Sequence, residues 1–251
     1  MLADARGLLA LIALLLLPGL LVVRAPWTAV PFLSLSFWIA TWWWLAPAGA
    51  GRGRFLAAAL VTFVLLAGLR LFRSRPAAPD AASTLVLAAA LLRLVPFFLW
   101  PAAPGTEASF HGLATLLMVV RDGVPESYEP LLPVAGFGAY PPGLHAVGAD
   151  IAILGGIPAY RAVFLAALAG QALLQIALFA LLGRILSRST AATIAVLALA
   201  AARLPSALAI WGEGGAELAL AFVLAAAALV RSEGRPAAGA AGAFLGTGLI
   251  C

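Results

Sequence analysis

Apolar runs of membrane length, bounded by arginine, proline or glycine, recur along almost the whole chain and decide its fold class. Residues 8–23 (LLALIALLLLPGLLVV) lie between Arg6 and Arg24. Residues 27–46, 55–72, 84–100, 160–182, 190–210 and 217–230 repeat the pattern. About 20 apolar residues cross the ~30 Å hydrocarbon layer as a helix. Lipid offers the backbone no hydrogen-bond partners, so such segments must be helical. The expected fold is all-α, a polytopic transmembrane helical bundle. Only 10% of the residues are charged, against about 25% in soluble domains. No small-x-small cleavage site follows the first run, which therefore reads as a retained helix rather than a signal peptide. A last run, residues 237–251, stops at Cys251 and reads as a helix cut short, so the chain is expected to be C-terminally truncated.

Two units are expected. Residues 1–75 form an N-terminal three-helix segment, and PAAPDAAS (residues 76–83) connects it to a membrane core over residues 84–251. GAGRGR (residues 49–54) reads as a short turn, and Trp42, Trp43 and Trp44 as interfacial aromatics. The 15 basic residues are all arginine, and the net charge is +5. They stand singly or in small groups between apolar runs, which suits topology control and argues against a nucleic-acid partner. The single cysteine excludes a disulfide framework and a cysteine metal site.

Residues 141–157 (PPGLHAVGADIAILGGI) are apolar but short for a span, and are expected to form a re-entrant or juxtamembrane helix. If they do not cross, Arg70, Arg73, Arg75, Arg184, Arg188, Arg231 and Arg235 share the cytoplasmic side. Glu107, Glu126, Glu129, Glu213 and Glu217 then lie outside, with an outer loop over residues 104–158. Arg52 and Arg54 are left on the outer side, against the charge rule.

That loop holds most of the chemistry. Within residues 106–121, Phe110, Leu113, Leu117 and Val120 recur at helical spacing, whereas Glu107, His111 and Thr115 mark another face. The pattern predicts a helix lying in the interface with its polar face wet. Glu107 and His111, four apart, can act as a carboxylate–imidazole base or share a cation; they can equally be solvated polar residues. Glu213 and Glu217, in WGEGGAE, are also four apart, at the expected outer end of a span; the alternative is a pair of acids favourable to a helix N-terminus. Tyr140-Pro141-Pro142-Gly143 leads rigidly into a helix carrying His145, either a site residue or an interfacial anchor. Arg161 and Arg203, at or near the outer ends of spans, could bind a lipid phosphate or snorkel. Arg93 lies deeper. Asp150, Gln171 and Gln175 suit helix–helix hydrogen bonds.

An apolar helix, then PGTEASFHGLATLLMVVRDGVP, a loop, YPPGLH and GGIPAYRAVFLAALAG resembles the start of the GT-C glycosyltransferases. These include protein O-mannosyltransferases and lipid A aminoarabinose transferases. The likeness covers about residues 84–230. It implies an outer-face, inverting transfer of sugar from a polyprenyl-phosphate donor in a bacterial inner membrane. Glu107 corresponds to the superfamily's first acid, usually aspartate, and His111 to the histidine that often follows. Glu213 or Glu217 corresponds to the second acid. By this resemblance Glu107, His111, Glu213 and Glu217 are catalytic; Tyr140, His145, Arg161 and Arg203 bind substrate. A divalent cation, if used, falls to Glu107 and Glu213. The partners expected are membrane lipid and the lipid-linked donor. Two other classes fit the same residues: a transporter or flippase of a lipid-linked substrate, and a non-catalytic membrane scaffold or fragment.

Overall fold

The computed structural model describes residues 2–22, 26–45, 51–73, 79–105, 108–127, 129, 142–201, 214–230 and 235–250. Every regular element among them is helical: α1 (Leu2–Leu16), continued by a 3-10 turn at Gly19–Leu21, α2 (Val30–Leu45), α3 (Arg52–Arg73), α4 (Ala81–Leu92), α5 (Pro96–Leu99), α6 (Ala108–Arg121), α7 (Gly143–Gly155), α8 (Ala159–Leu182), α9 (Arg188–Ala201), α10 (Gly214–Val230) and α11 (Arg235–Ile250). Four segments are long and apolar enough to cross a membrane: Leu2–Leu21, Arg52–Arg70, Ala81–Leu99 and Ala159–Leu182. The expected helical bundle is present.

Local chemistry sets the helix ends. The Asp80 side chain accepts from the Ser83 backbone N–H at 2.8 Å and caps α4, the standard remedy for an orphan amide. Pro96 cannot continue the α4 hydrogen-bond ladder, so the expected single span is divided into α4 and α5 by the turn at Arg93–Val95. Gly156 closes α7 with φ +59°, the left-handed C-terminal signal that glycine adopts readily. GAGRGR is not simply a turn: Arg52, Gly53 and Arg54 form the first turn of α3.

Helix α8 is the central post. It is largely buried, whereas α3 turns Val61, Leu65 and Leu69 outward. One hydrophobic core draws on α1, α2, α7, α8, α10 and α11, and so is shared by both segments expected from the sequence. Phe32, Phe222 and Phe244 meet at 5.3–6.1 Å between ring centroids and join α2, α10 and α11. Small residues bring the other helices close. A Cβ on Gly148 would come within 3.1 Å of the Val163 Cα, and one on Gly155 within 3.0 Å of the Gly7 Cα.

The two ends of the bundle are chemically distinct. At one end Arg161 of α8 bonds Asp4 of α1 and the carbonyls of Phe97 and Trp100 after α5. Because α5 ends where α8 begins, α6 and α7 leave and return at this end. At the other, Arg70 donates to the Val22 carbonyl, and Arg188 pairs with Asp80.

Candidate functional site

Helix α6 turns its polar face inward. His111, Thr115, Ala114 and Met118 are buried, whereas Leu116 and Val120 are 42% and 72% exposed. The interfacial reading assumed water as the solvent. Within a bundle in lipid the preference inverts, since polar groups are satisfied only by other helices. Gly112 and Gly148 make the close approach possible. A Cβ on Gly112 would lie 2.9 Å from the Tyr160 Cβ, and one on Gly148 would lie 3.2 Å from the Thr115 Cγ2.

That approach brings both histidines of the protein together. His111 Nδ1 and His145 Nε2 are 2.9 Å apart, and the rings stack with centroids 5.1 Å apart at 28°. The residues are 4% and 0% exposed. One nitrogen of the facing pair must donate and the other accept, so a single proton lies between them. The pair can fix a tautomer or pass a proton. His145 is ten residues before the end of α7, roughly 15 Å along the helix.

Glu217 sits deeper than its expected place at the outer end of a span. Its Oε1 faces Gln171 Nε2 at 3.4 Å, and Gln171 is twelve residues into α8, roughly 18 Å along it. Helices α8 and α10 run parallel, because Phe179 and Gly183 line a cavity with Ala225 and Leu229 farther along both. The expected interhelical role of Gln171 is thus present, across α8 and α10. Gln175, one turn after Gln171, is also buried, but its side-chain amide makes no hydrogen bond among the described residues, so the helix–helix bond expected of it is not seen.

Arg161 is 8% exposed. Its guanidinium donates to Asp4 Oδ1 at 2.5 Å, to the Phe97 carbonyl at 2.6 Å and to the Trp100 carbonyl, and lies 4.1 Å from the Phe97 ring centre. Arg161 therefore clasps α1, α5 and α8. Glu107, Tyr140, Arg203 and Glu213 lie outside the described residues.

A second ionic cluster was not expected from the sequence. Arg52 Nε donates to Asp150 Oδ1 at 2.8 Å and Nη2 to Oδ2 at 2.7 Å. Nη1 reaches Thr41 Oγ1 at 2.8 Å, and Nη2 also reaches the Trp38 carbonyl. The Arg52 backbone N–H donates to both oxygens of Asp122, at 2.8 and 2.9 Å. The guanidinium lies 4.4 Å from the Trp42 ring centre. Trp42 is 2% exposed, so it packs on a buried cation rather than at the interface. The arginine left on the outer side by the charge rule is neutralised there. Asp150 has the helix-joining role expected of it, with a charged partner 98 residues away in sequence.

Among the described residues no group of three or more histidine, cysteine, aspartate or glutamate side chains could hold a metal ion. The expected cation ligands, Glu107 and Glu213, lie outside those residues. Comparison with protein-family models, curated proteins and solved structures yields no match.

Proposed function

We propose that this chain is a membrane glycosyltransferase that moves a sugar from a polyprenyl-phosphate donor to an acceptor hydroxyl at the loop-bearing end of the bundle. The observation supporting this reading is the His111–His145 contact. It joins the FHG and YPPGLH segments, the two parts of the outer loop on which the GT-C resemblance rests. The arginine-bearing end (Arg70, Arg184, Arg188) is then cytoplasmic by the positive-inside rule. The active site faces outward from a bacterial inner membrane.

In this mechanism Glu107, four residues before His111 in sequence, takes the acceptor hydroxyl proton as the oxygen attacks the anomeric carbon. The bond from that carbon to the donor phosphate oxygen breaks, and its electron pair leaves with the phosphate. Inversion follows from attack opposite the leaving group. His111 orients Glu107, and His145 is a positioning residue acting through His111. Glu213 holds the acceptor, since Glu217 is buried against Gln171 deeper in the bundle. Arg161 is engaged by Asp4 and two carbonyls, so the leaving phosphate falls to Arg203, where developing charge is best stabilised.

Transfer from radiolabelled polyprenyl-phosphate sugars by the purified chain, with His145→Asn beside it, tests the assignment. A positioning role lowers kcat by about 10-fold or more with KM little changed, whereas general-base loss costs about 10²–10⁴. Unchanged kcat in His145→Asn removes the histidine pair from the mechanism. A second reading, transport of a lipid-linked substrate, is favoured by the buried Glu217–Gln171 contact, since intramembrane carboxylates commonly mark translocation paths. Substrate flipping in proteoliposomes without sugar transfer would establish it.

A further inference from the structure

A large apolar cavity lies away from the histidine pair. It is a groove of about 560 Å³ between α1, α4 and α8. Leu11, Leu15, Leu87, Leu94 and Leu173 line it, and Leu91, 62% exposed, stands at its open side. Its α4 wall runs from Asp80 to Leu94, fourteen residues or roughly 21 Å. One leaflet's hydrocarbon is about 15 Å deep, so the groove is long enough for a whole acyl chain.

Chemistry changes at the groove's end. Asp80, Ser83, Trp27 and Arg188 border it there. Trp27 and Arg188 also line a second cavity, about 270 Å³, whose rim includes Thr28, Gly183 and Arg184. An apolar slot and a smaller pocket with two arginines in its lining therefore share a wall. Arg188 is engaged: Nε donates to Asp80 Oδ2 at 2.5 Å and Nη2 to Ser83 Oγ at 2.8 Å. The Arg184 side chain is exposed and makes no hydrogen bond or ion pair among the described residues. Among the described residues lining the two cavities, two arginines stand against one aspartate, an excess of one positive charge.

We propose that the groove and its adjoining pocket bind one anionic phospholipid, an acyl chain along α4 and the phosphate against Arg184 beside Trp27 and Arg188. Lipid is the occupant favoured because the slot is apolar and opens sideways through Leu91, and because the excess charge sits at its headgroup end. A tryptophan at that level is the usual interfacial anchor. The site is independent of any sugar transfer at the other end of the bundle.

Native mass spectrometry of the full chain, released from nanodiscs, tests this. The discs contain equal parts of phosphatidylglycerol and phosphatidylcholine with the same acyl chains. The expected result is one retained phosphatidylglycerol, about fivefold preferred over phosphatidylcholine, the worth of one surface cation near an anionic headgroup. Arg184→Gln should abolish the preference and keep residual binding of both lipids. Leu91→Trp, at an exposed position, should reduce retention of both by narrowing the slot. Inorganic phosphate at millimolar concentration should not displace the lipid; if it does, the pocket is a free-phosphate site and the lipid assignment is overturned. Equal retention of the two lipids by the wild-type chain, or an unaltered preference in Arg184→Gln, also overturns it.

Discussion

Replacing Asp150 by asparagine is the sharpest test of how α3 is held to the rest of the bundle. The substitution keeps the side-chain shape and removes the counter-charge of Arg52. Arg52 and Asp150 are 4% and 1% exposed, and two charge-assisted bonds of 2.7 and 2.8 Å link them. Leaving one member of a buried pair without its partner typically costs about 3–5 kcal/mol. Some compensation survives in Asp150→Asn. The Arg52 guanidinium keeps Thr41, the Trp38 carbonyl and the Trp42 face, and a desolvated cation–π contact is worth about 2 kcal/mol. The expected loss is therefore near the low end, about 3 kcal/mol. Removing both charges, as Arg52→Met with Asp150→Leu, should cost at least about 2 kcal/mol less than the sum of the two single substitutions. The Asp122 bonds to the backbone of residue 52 do not depend on its side chain and persist in all variants. Unfolding in mixed micelles at increasing SDS fraction, followed by circular dichroism, measures each difference. Additive losses, or an Asp150→Asn cost below about 1 kcal/mol, would refute the claim that Asp150 neutralises Arg52.

Three further outcomes follow from the geometry. Gly148→Ala forces a Cβ to 3.1 Å from the Val163 Cα and should cost about 1–3 kcal/mol; Gly68→Ala, with nothing within 4 Å, should be neutral or stabilising by up to about 1 kcal/mol. The same micelle titration compares them, and equal effects would contradict the packing at α7–α8. Glu217→Gln preserves a partner for Gln171 and should stay within about 1 kcal/mol of the wild type, whereas Gln171→Leu strands the buried carboxyl and should cost about 1–2 kcal/mol. The Arg188 guanidinium, followed by Ser83, holds the Asp80 carboxyl well below the usual carboxylate range. A lowered folded-state pKa gives stability that is fully present above the unfolded value and is lost as pH falls through the folded one. The stability difference between wild type and Asp80→Asn should therefore be flat from pH 8 to about pH 4 and shrink only below that; a difference that vanishes by pH 5 would contradict the Asp80–Arg188 contact.

Much of the architecture is legible in the sequence, because length and apolarity together select membrane helices whatever their neighbours. The charge bias of the flanking arginines leads to the expectation that residues 141–157 do not cross, and in the structure Trp100 and Arg161 meet at one end of the bundle. Four features were not legible. The spacing in α6 predicts a wet polar face, yet His111 and Thr115 are buried together with Leu117 of the apolar stripe, while Val120 is exposed. Arg52 looked misplaced because its counter-charge, Asp150, is remote in sequence and no local pattern marks the pair. Glu217 reads as a helix-start acid at the surface, yet α10 begins within the bundle, at the depth of the middle of α8. Spacing shows that Glu107 and His111 stand four apart in sequence. It does not reveal that His111 and His145, 34 residues apart, share a hydrogen bond. That contact depends on Gly112 and Gly148, whose small size admits Tyr160 and Val163.

The glycosyltransferase assignment stands or falls on turnover. Purified wild-type chain and Glu107→Gln should be incubated with radiolabelled polyprenyl-phosphate sugars and a mixture of hydroxyl-bearing lipid and peptide acceptors, with fold verified by circular dichroism. Measurable transfer by the wild type is expected, with a loss of about 10²–10⁴ in Glu107→Gln at unchanged helix content. Full activity in Glu107→Gln, or no transfer from any lipid-linked sugar by the wild type, would contradict the assignment.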